Sequence, residues 1–380
     1  MILLVAGAFA LTLSGAVERA AQMDPQAEIA SLEARKLHLD SARSWSALGL
    51  TPSLSLGRSY TGGASVETSS LSVSVGALDA VRWLDAAQRS SLAKAAGFAA
   101  RGTALDAQYG AAQLFVNAVQ AERALSAAVL NERTASEISS AVAARVAAGL
   151  DSDLLGKSAE AAHLVARAAR ARSESRVRQA RLQLQFALQL DDLGELEPPD
   201  TLELPAEALR SPWLDAAKSG TDAARWGHWE AAAGWLPAGG LAASTGLEAL
   251  SWSVALTGTW TLPGVVGPAL RERSRALDVR IAELSYNTLI RKLATAEAVA
   301  ADQATTAAEV LAAQAARVEL AEAALSSGQA RLAAGVSDTL ELLRLQDDLA
   351  RARGDHVAAE LEAQTAILEA RRVSAMPWAN

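Results

Sequence analysis

Metal and acid–base chemistry in this chain would have to rest on few residues. Four histidines, His38, His163, His228 and His356, sit in different segments, with no metal-ligand spacing and no cysteine beside them. Asp191-Asp192 falls at a helix end and Asp347-Asp348 on a helix surface. Capping and solvated roles suit such adjacent acids better than paired-carboxylate catalysis. Gly62-Gly63 and Gly239-Gly240 occupy turn or strand positions, and no P-loop or dinucleotide fingerprint is present. Besides the initiator, methionine occurs only as Met23 and Met376, which gives no thioether cluster for copper. The absence of cysteine removes disulfides, thiolate sites, a cysteine nucleophile and a lipidated N-terminal cysteine, and leaves the redox compartment open. These residues predict no enzyme, no cofactor and no metal. The informative pattern lies in the elements that would carry them.

The chain repeats itself. Arg145-Val-Ala-Ala-Gly149 recurs 186 positions later as Arg331-Leu-Ala-Ala-Gly335, and Pro52 has a counterpart 185 positions on at Pro237. Two landmarks at nearly one offset imply a tandem duplication, and a repeat unit buries itself against its copies. Composition agrees with an elongated helical body. Half of the 380 residues are apolar, yet aromatics are only 4%, so alanine-rich helices rather than a bulky core are expected. A balance of 35 basic against 43 acidic residues, net -8, argues against nucleic acid as a partner.

Each copy contains strand pairs. Leu54 and Leu56 alternate with Ser53 and Ser55, and Leu71, Val73 and Val75 with Ser70, Ser72 and Ser74. Later, Trp252, Val254, Leu256, Trp260 and Leu262 alternate with Ser253, Ala255, Thr257, Thr259 and Thr261. One apolar and one hydroxyl-bearing face fits an antiparallel sheet on a soluble core, or membrane strands with lipid outside and water inside. The last strand, roughly ten residues long, has the length a tilted spanning strand needs. Trp226, Trp229, Trp235, Trp252 and Trp260 lie in or just before this region, and Trp235, Trp252 and Trp260 are the candidate interfacial girdle.

A very long helix follows each strand pair. The first is expected over about 84–148, roughly 65 residues or ~97 Å. Phe98, Leu105, Tyr109, Ala112, Val116 and Val119 form a coiled-coil seam along it, which Ile138, Val142 and Val146 resume. The second is expected over about 269–334, starting with Leu277, Ile281 and Leu284. Both stop at a repeated glycine, Gly149 or Gly335, suited to a left-handed C′ position. Asp151 or Ser152, and Ser337 or Asp338, can cap the returning helices at 153–190 and 339–373. The second of these carries Leu342, Leu345, Leu349 and Ala352 on one face. Such short turns require antiparallel helical hairpins.

Four strands cannot close a membrane barrel, which takes about eight or more. Three chains would supply twelve. The duplicated strand-strand-long-helix-turn-helix layout over 25–374, the two Arg-x-Ala-Ala-Gly turns, the Pro52 and Pro237 strand entries and the Thr261–Gly267 strand exit resemble the TolC-like outer-membrane efflux protein family. The resemblance implies a mainly α fold with short membrane strands, assembling as a trimeric α-barrel tunnel on a shared twelve-stranded β-barrel. It further implies an outer-membrane exit duct whose tunnel crosses the periplasm to a periplasmic adaptor and an inner-membrane pump. The partners are then two further copies, the adaptor, the pump and outer-membrane lipid. On this basis Arg145, Gly149, Leu150, Arg331, Gly335 and Val336 are the candidate periplasmic tips. Glu341 stands where the family carries a constricting acid, while Arg344 replaces the next one, giving a weaker or mixed-charge ring. Glu341 also reads as a solvated surface acid.

The expected division is 1–22 as a signal segment, 23–190 as the first repeat, 191–212 as a Pro-rich connector, 213–374 as the second repeat and 375–380 as a tail. The apolar run Ile2–Leu13 resembles a secretory h-region without its basic n-region. A start placed too far downstream accounts for that, and so does a first helical turn. A periplasmic coiled-coil scaffold without a pore is the alternative function. It explains the helical hairpins but not the interrupting strand pairs.

Overall fold

The computed structural model describes residues 11–61, 64–75, 79–199, 211–234, 236, 238–246, 251–259, 266–334 and 338–375. In chain order these form α1 (Leu13–Met23), α2 (Pro25–Ser46), β1 (Leu50–Thr61), β2 (Ala64–Val75), α3 (Ala80–Ala147), α4 (Asp153–Leu188), α5 (Pro212–Ala233), β3 (Ala238–Gly246), β4 (Ser251–Thr259), α6 (Val266–Ala333) and α7 (Thr339–Val373). The two long helices, α3 and α6, are both 68 residues. The duplication reaches further than the turns reveal. α2 and α5 are each 22 residues and each opens on proline, whose fixed φ and missing N–H suit a first helical position. The tryptophan pair Trp226 and Trp229 lies in α5, just before the strands.

The chain forms two compact units, one of Met1–Pro25, Ala104–Leu209 and Ala294–Asn380, the other of Gln26–Thr103 and Arg210–Leu293. Neither unit coincides with a repeat. Each takes part of both copies, because each copy's elements bury their apolar faces against the other's.

In the second unit the strands form one antiparallel sheet in the order β1-β2-β3-β4. Its register sets like against like: Leu54 opposite Leu71, Pro52 opposite Val73, Leu241 opposite Leu256, and on alternate positions Ser53 opposite Ser72 and Ser244 opposite Ser253. Leu71 and Val254 are 39% and 57% exposed, so these two apolar side chains are left open by the described residues. β2 joins β3 from Ser70 opposite Gly246 to Val75 opposite Leu241, which ties the two copies together.

Also in this unit, α3 and α5 approach closely at Gly102. A Cβ there would lie 2.7 Å from Trp213 Nε1 and 3.1 Å from its Cδ1. Alanine gains about 1 kcal/mol of helix propensity, but overpacking against an indole costs about 1–3 kcal/mol. Gly102→Ala is expected to lower the melting temperature of the helical signal. An unchanged or raised melt would show that Trp213 moves aside freely.

The first unit holds the main core. Ala16, Val17 and Ala20 of α1, Ala112, Phe115, Val116 and Val119 of α3, Leu184 and Leu188 of α4, and Leu368 of α7 pack as one buried cluster. Leu11 bridges to Leu196, with its N–H donating to Glu195 O at 2.8 Å, and Arg19 Nε donates to Leu188 O at 2.9 Å. Residues 11–22 are thus built into the folded body. A boundary at residue 22 would cut α1 and strip four buried side chains from the core. Residues 1–10 lie outside the described residues.

The expected seam is seen on α3, where Tyr109, Ala112, Val116 and Val119 are buried. On α7, Leu342, Leu349 and Ala352 are buried. The seam expected at the start of α6 differs. Leu277, Ile281 and Leu284 are 61%, 62% and 51% exposed, and among the described residues no element covers them.

Candidate functional site

The turn between α3 and α4 closes as a Schellman motif. Gly149, at φ 73°, occupies the left-handed C′ position. Leu150 N–H donates to Arg145 O at 2.9 Å and Gly149 N–H to Val146 O at 3.0 Å, satisfying the last carbonyls of α3. Ser152 then caps α4, accepting from Leu155 N–H, and Asp338 caps α7, accepting from Leu340 N–H. Of the two residues that could cap each returning helix, these are the ones used.

Asp151 is released for another task. Arg145 Nε donates to its Oδ2 at 2.8 Å, and Thr339 Oγ1 donates to the same oxygen at 2.7 Å. The carboxylate is 7% exposed, and Thr339 is fully buried. The Arg145 hydrogen bond, then that of Thr339, holds the Asp151 carboxyl below its ordinary value. Through this bond the start of α7 is fastened to the turn of the first copy. Sequence reading missed Thr339, a hydroxyl-bearing residue one turn before Leu342 on the buried face of α7. Its signal was that place, directly after an N-cap and in line with Leu342 and Leu349.

The second Arg-x-Ala-Ala-Gly arginine behaves differently. Arg331 pairs with Glu341 of α7, and both side chains are partly exposed. Glu341 is therefore charge-compensated within its own chain. Arg344 is exposed and makes no ion pair among the described residues. Arg145, Gly149, Leu150 and Arg331 are all found at or beside the helical turns, with Leu150 67% exposed. Gly335 and Val336 lie outside the described residues. So do Trp235 and Trp260, while Trp252 falls in β4 opposite Thr245.

Below the turns, Ile138 and Val142 of α3, Ala159 of α4, Leu325 and Leu332 of α6 and Leu342 and Leu349 of α7 form a second buried cluster. Above it the hairpins are in register. Arg353 Nη1 donates to Asn131 Oδ1 at 3.1 Å, and these residues stand eighteen positions from Gly335 and Gly149 respectively. Among the described residues no helix is long and apolar enough to cross a membrane, and no group of three metal-ligating side chains occurs.

No family model and no curated protein matches the chain in sequence. Solved structures do match in fold. The open state of the Neisseria gonorrhoeae MtrE outer membrane channel superposes with a TM-score of 0.82 at 19% identity, over 95% of this chain and 88% of that one. The outer membrane protein VceC of Vibrio cholerae gives 0.80 at 16% identity, over 95% of both chains. The Campylobacter jejuni CmeC outer membrane channel gives 0.80 at 14% identity, over 95% of this chain and 85% of that one. Across nearly its whole length, the chain has the TolC-like fold of these outer-membrane channel proteins.

Proposed function

We propose that the chain is an outer-membrane exit duct of a tripartite efflux or type I secretion system. It would act passively, as a homotrimer, with a periplasmic adaptor and an inner-membrane pump as partners. The observation that carries this reading is the fold match over 95% of the chain to outer-membrane channel structures. The sheet supports it. β1 and β4 are free edges, and an apolar face with open edges suits lipid only when further copies close the ring. Twelve strands from three chains would do so. The duct is expected to require detergent for extraction, to run as a heat-resistant trimer and to give stepwise conductance in planar bilayers. Release by osmotic shock, without conductance, would instead mark a periplasmic scaffold.

In this reading the turns of α3–α4 and α6–α7 form the periplasmic tips, and Glu341 with Arg344 lines the mouth. Glu341→Ala would leave Arg331 uncompensated beside Arg344 and make the mouth more positive. Divalent-cation block should weaken and anion preference should rise in single-channel recordings. Unchanged block and selectivity would remove Glu341 from the mouth.

A further inference from the structure

We propose that the groove walled by α3, α4 and α7 binds a flat amphipathic organic acid that carries an O–H or N–H donor at the end opposite its carboxylate. The residues that line it belong to the first unit of a single chain, so the site does not depend on how copies assemble. The groove measures about 850 Å³, and alanine is the commonest residue in its walls. Alanine alone selects nothing. Two polar groups left without partners give the groove a chemistry.

The first is an acceptor. Gln120 of α3 lines the groove and is only 2% exposed. Its Nε2 donates to Gln364 Oε1 of α7 at 3.1 Å, but its Oε1 is buried with no hydrogen-bond partner among the described residues. Buried polar atoms are almost always paired, so an orphan acceptor in a groove wall calls for a donor from a guest. The second is a cation. Arg176 of α4 lines the groove, is exposed and makes no ion pair among the described residues. Glu174 on its own helix is engaged by Arg170, and Glu122 of α3 by Arg181. The Arg176 guanidinium is therefore open to a carboxylate from outside, which its fork of donors fits.

Cross-helix pairs fix how far apart these two groups stand. Arg170–Glu132 and Arg181–Glu122 run α4 antiparallel to α3 and set Arg176 level with Ser126 and Ala127. Gln120 lies six or seven residues from that level on α3, roughly 10 Å at 1.5 Å per residue. Gln120–Gln364 and Arg353–Asn131 place α7 in the same way, with Val357 level with Ala127 and Leu361 with Arg123. Between the two polar groups the walls are thus Ala124, Ala180, Val357 and Leu361, all of which line the groove. Cation, apolar slot and acceptor follow one another in that order. A phenolic acid has the matching pattern: a carboxylate, a flat apolar body and a hydroxyl donor at the far end.

Full-length protein in detergent, dialysed to equilibrium against para-coumarate or against cinnamate, which lacks the phenolic hydroxyl, tests both ends. Matched dialysis of protein-free micelles subtracts uptake by detergent. Wild type is expected to bind para-coumarate saturably and about tenfold more tightly than cinnamate. Arg176→Gln, at an exposed position, should weaken binding of both acids about tenfold. Gln120→Leu should abolish the preference for para-coumarate and leave cinnamate binding as it was, which also shows that the groove is still folded. No saturable uptake of para-coumarate by wild type overturns the site. Binding that neither substitution alters overturns it as well, and so does equal affinity of the wild type for the two acids.

Discussion

In the proposed duct, Asp151→Ala should raise channel conductance about tenfold or more by loosening the tie between the α3–α4 turn and α7. The substitution removes the acceptor that Arg145 and Thr339 share. It leaves the fully buried Thr339 hydroxyl without its partner, which costs about 1–3 kcal/mol. A factor of ten corresponds to about 1.4 kcal/mol, so the population with separated turns rises by that order. Asp151→Asn retains an acceptor for Thr339 but loses the charge, and should fall between wild type and alanine. The pH dependence has a defined sign. Because the folded-state carboxyl is held below its ordinary value, its stabilisation is complete above the unfolded value and is lost as pH falls through the folded one. The tie therefore persists at neutral and mildly acidic pH and fails only in strong acid. Single-channel recordings of the three proteins across pH test this; equal conductance in all three would show that the bond does not restrain the mouth.

The second large effect is expected in the core. Phe115→Ala should lower the unfolding temperature steeply, since removing a fully buried phenyl costs about 3–5 kcal/mol. The loss falls where α1, α3, α4 and α7 meet, so α1 should detach first. Limited proteolysis near Met23 reports that detachment. Protection equal to wild type would show that the core closes over the cavity.

Phe115 also marks where sequence reading stopped short. The heptad seam through Tyr109, Ala112, Val116 and Val119 was legible, because one partner helix leaves one apolar stripe. Ala111, Phe115 and Ala118 are buried as well. Here α1 supplies an additional wall, and periodicity in α3 does not say that a distant segment will return to cover it. The same limit hid the burial of α1, since Leu13, Ala16, Val17 and Ala20 find their partners on distant helices. The strands were readable from alternation. α5 was not recognised as a helix, because its tryptophans and glycines mask a weak period; the matching proline of α2 was the available signal. At the turns, Gly149 and the arginines were legible as a repeated string. The Asp151–Thr339 bond was not, since it joins residues 188 positions apart with no repeat between them.

The pairing of β2 with β3 has a kinetic consequence. Ser70 meets Gly246 only after α3, α4 and α5 have all been synthesised. Closing so long a loop is entropically costly, and contacts so far apart in sequence form late. The hairpins β1–β2 and β3–β4 can form locally, but each then waits with an open edge, the state most prone to pair with a stranger. Maturation of this chain is therefore limited by the meeting of its two copies, and an escort that shields the first hairpin should speed it more than one that assists the helices.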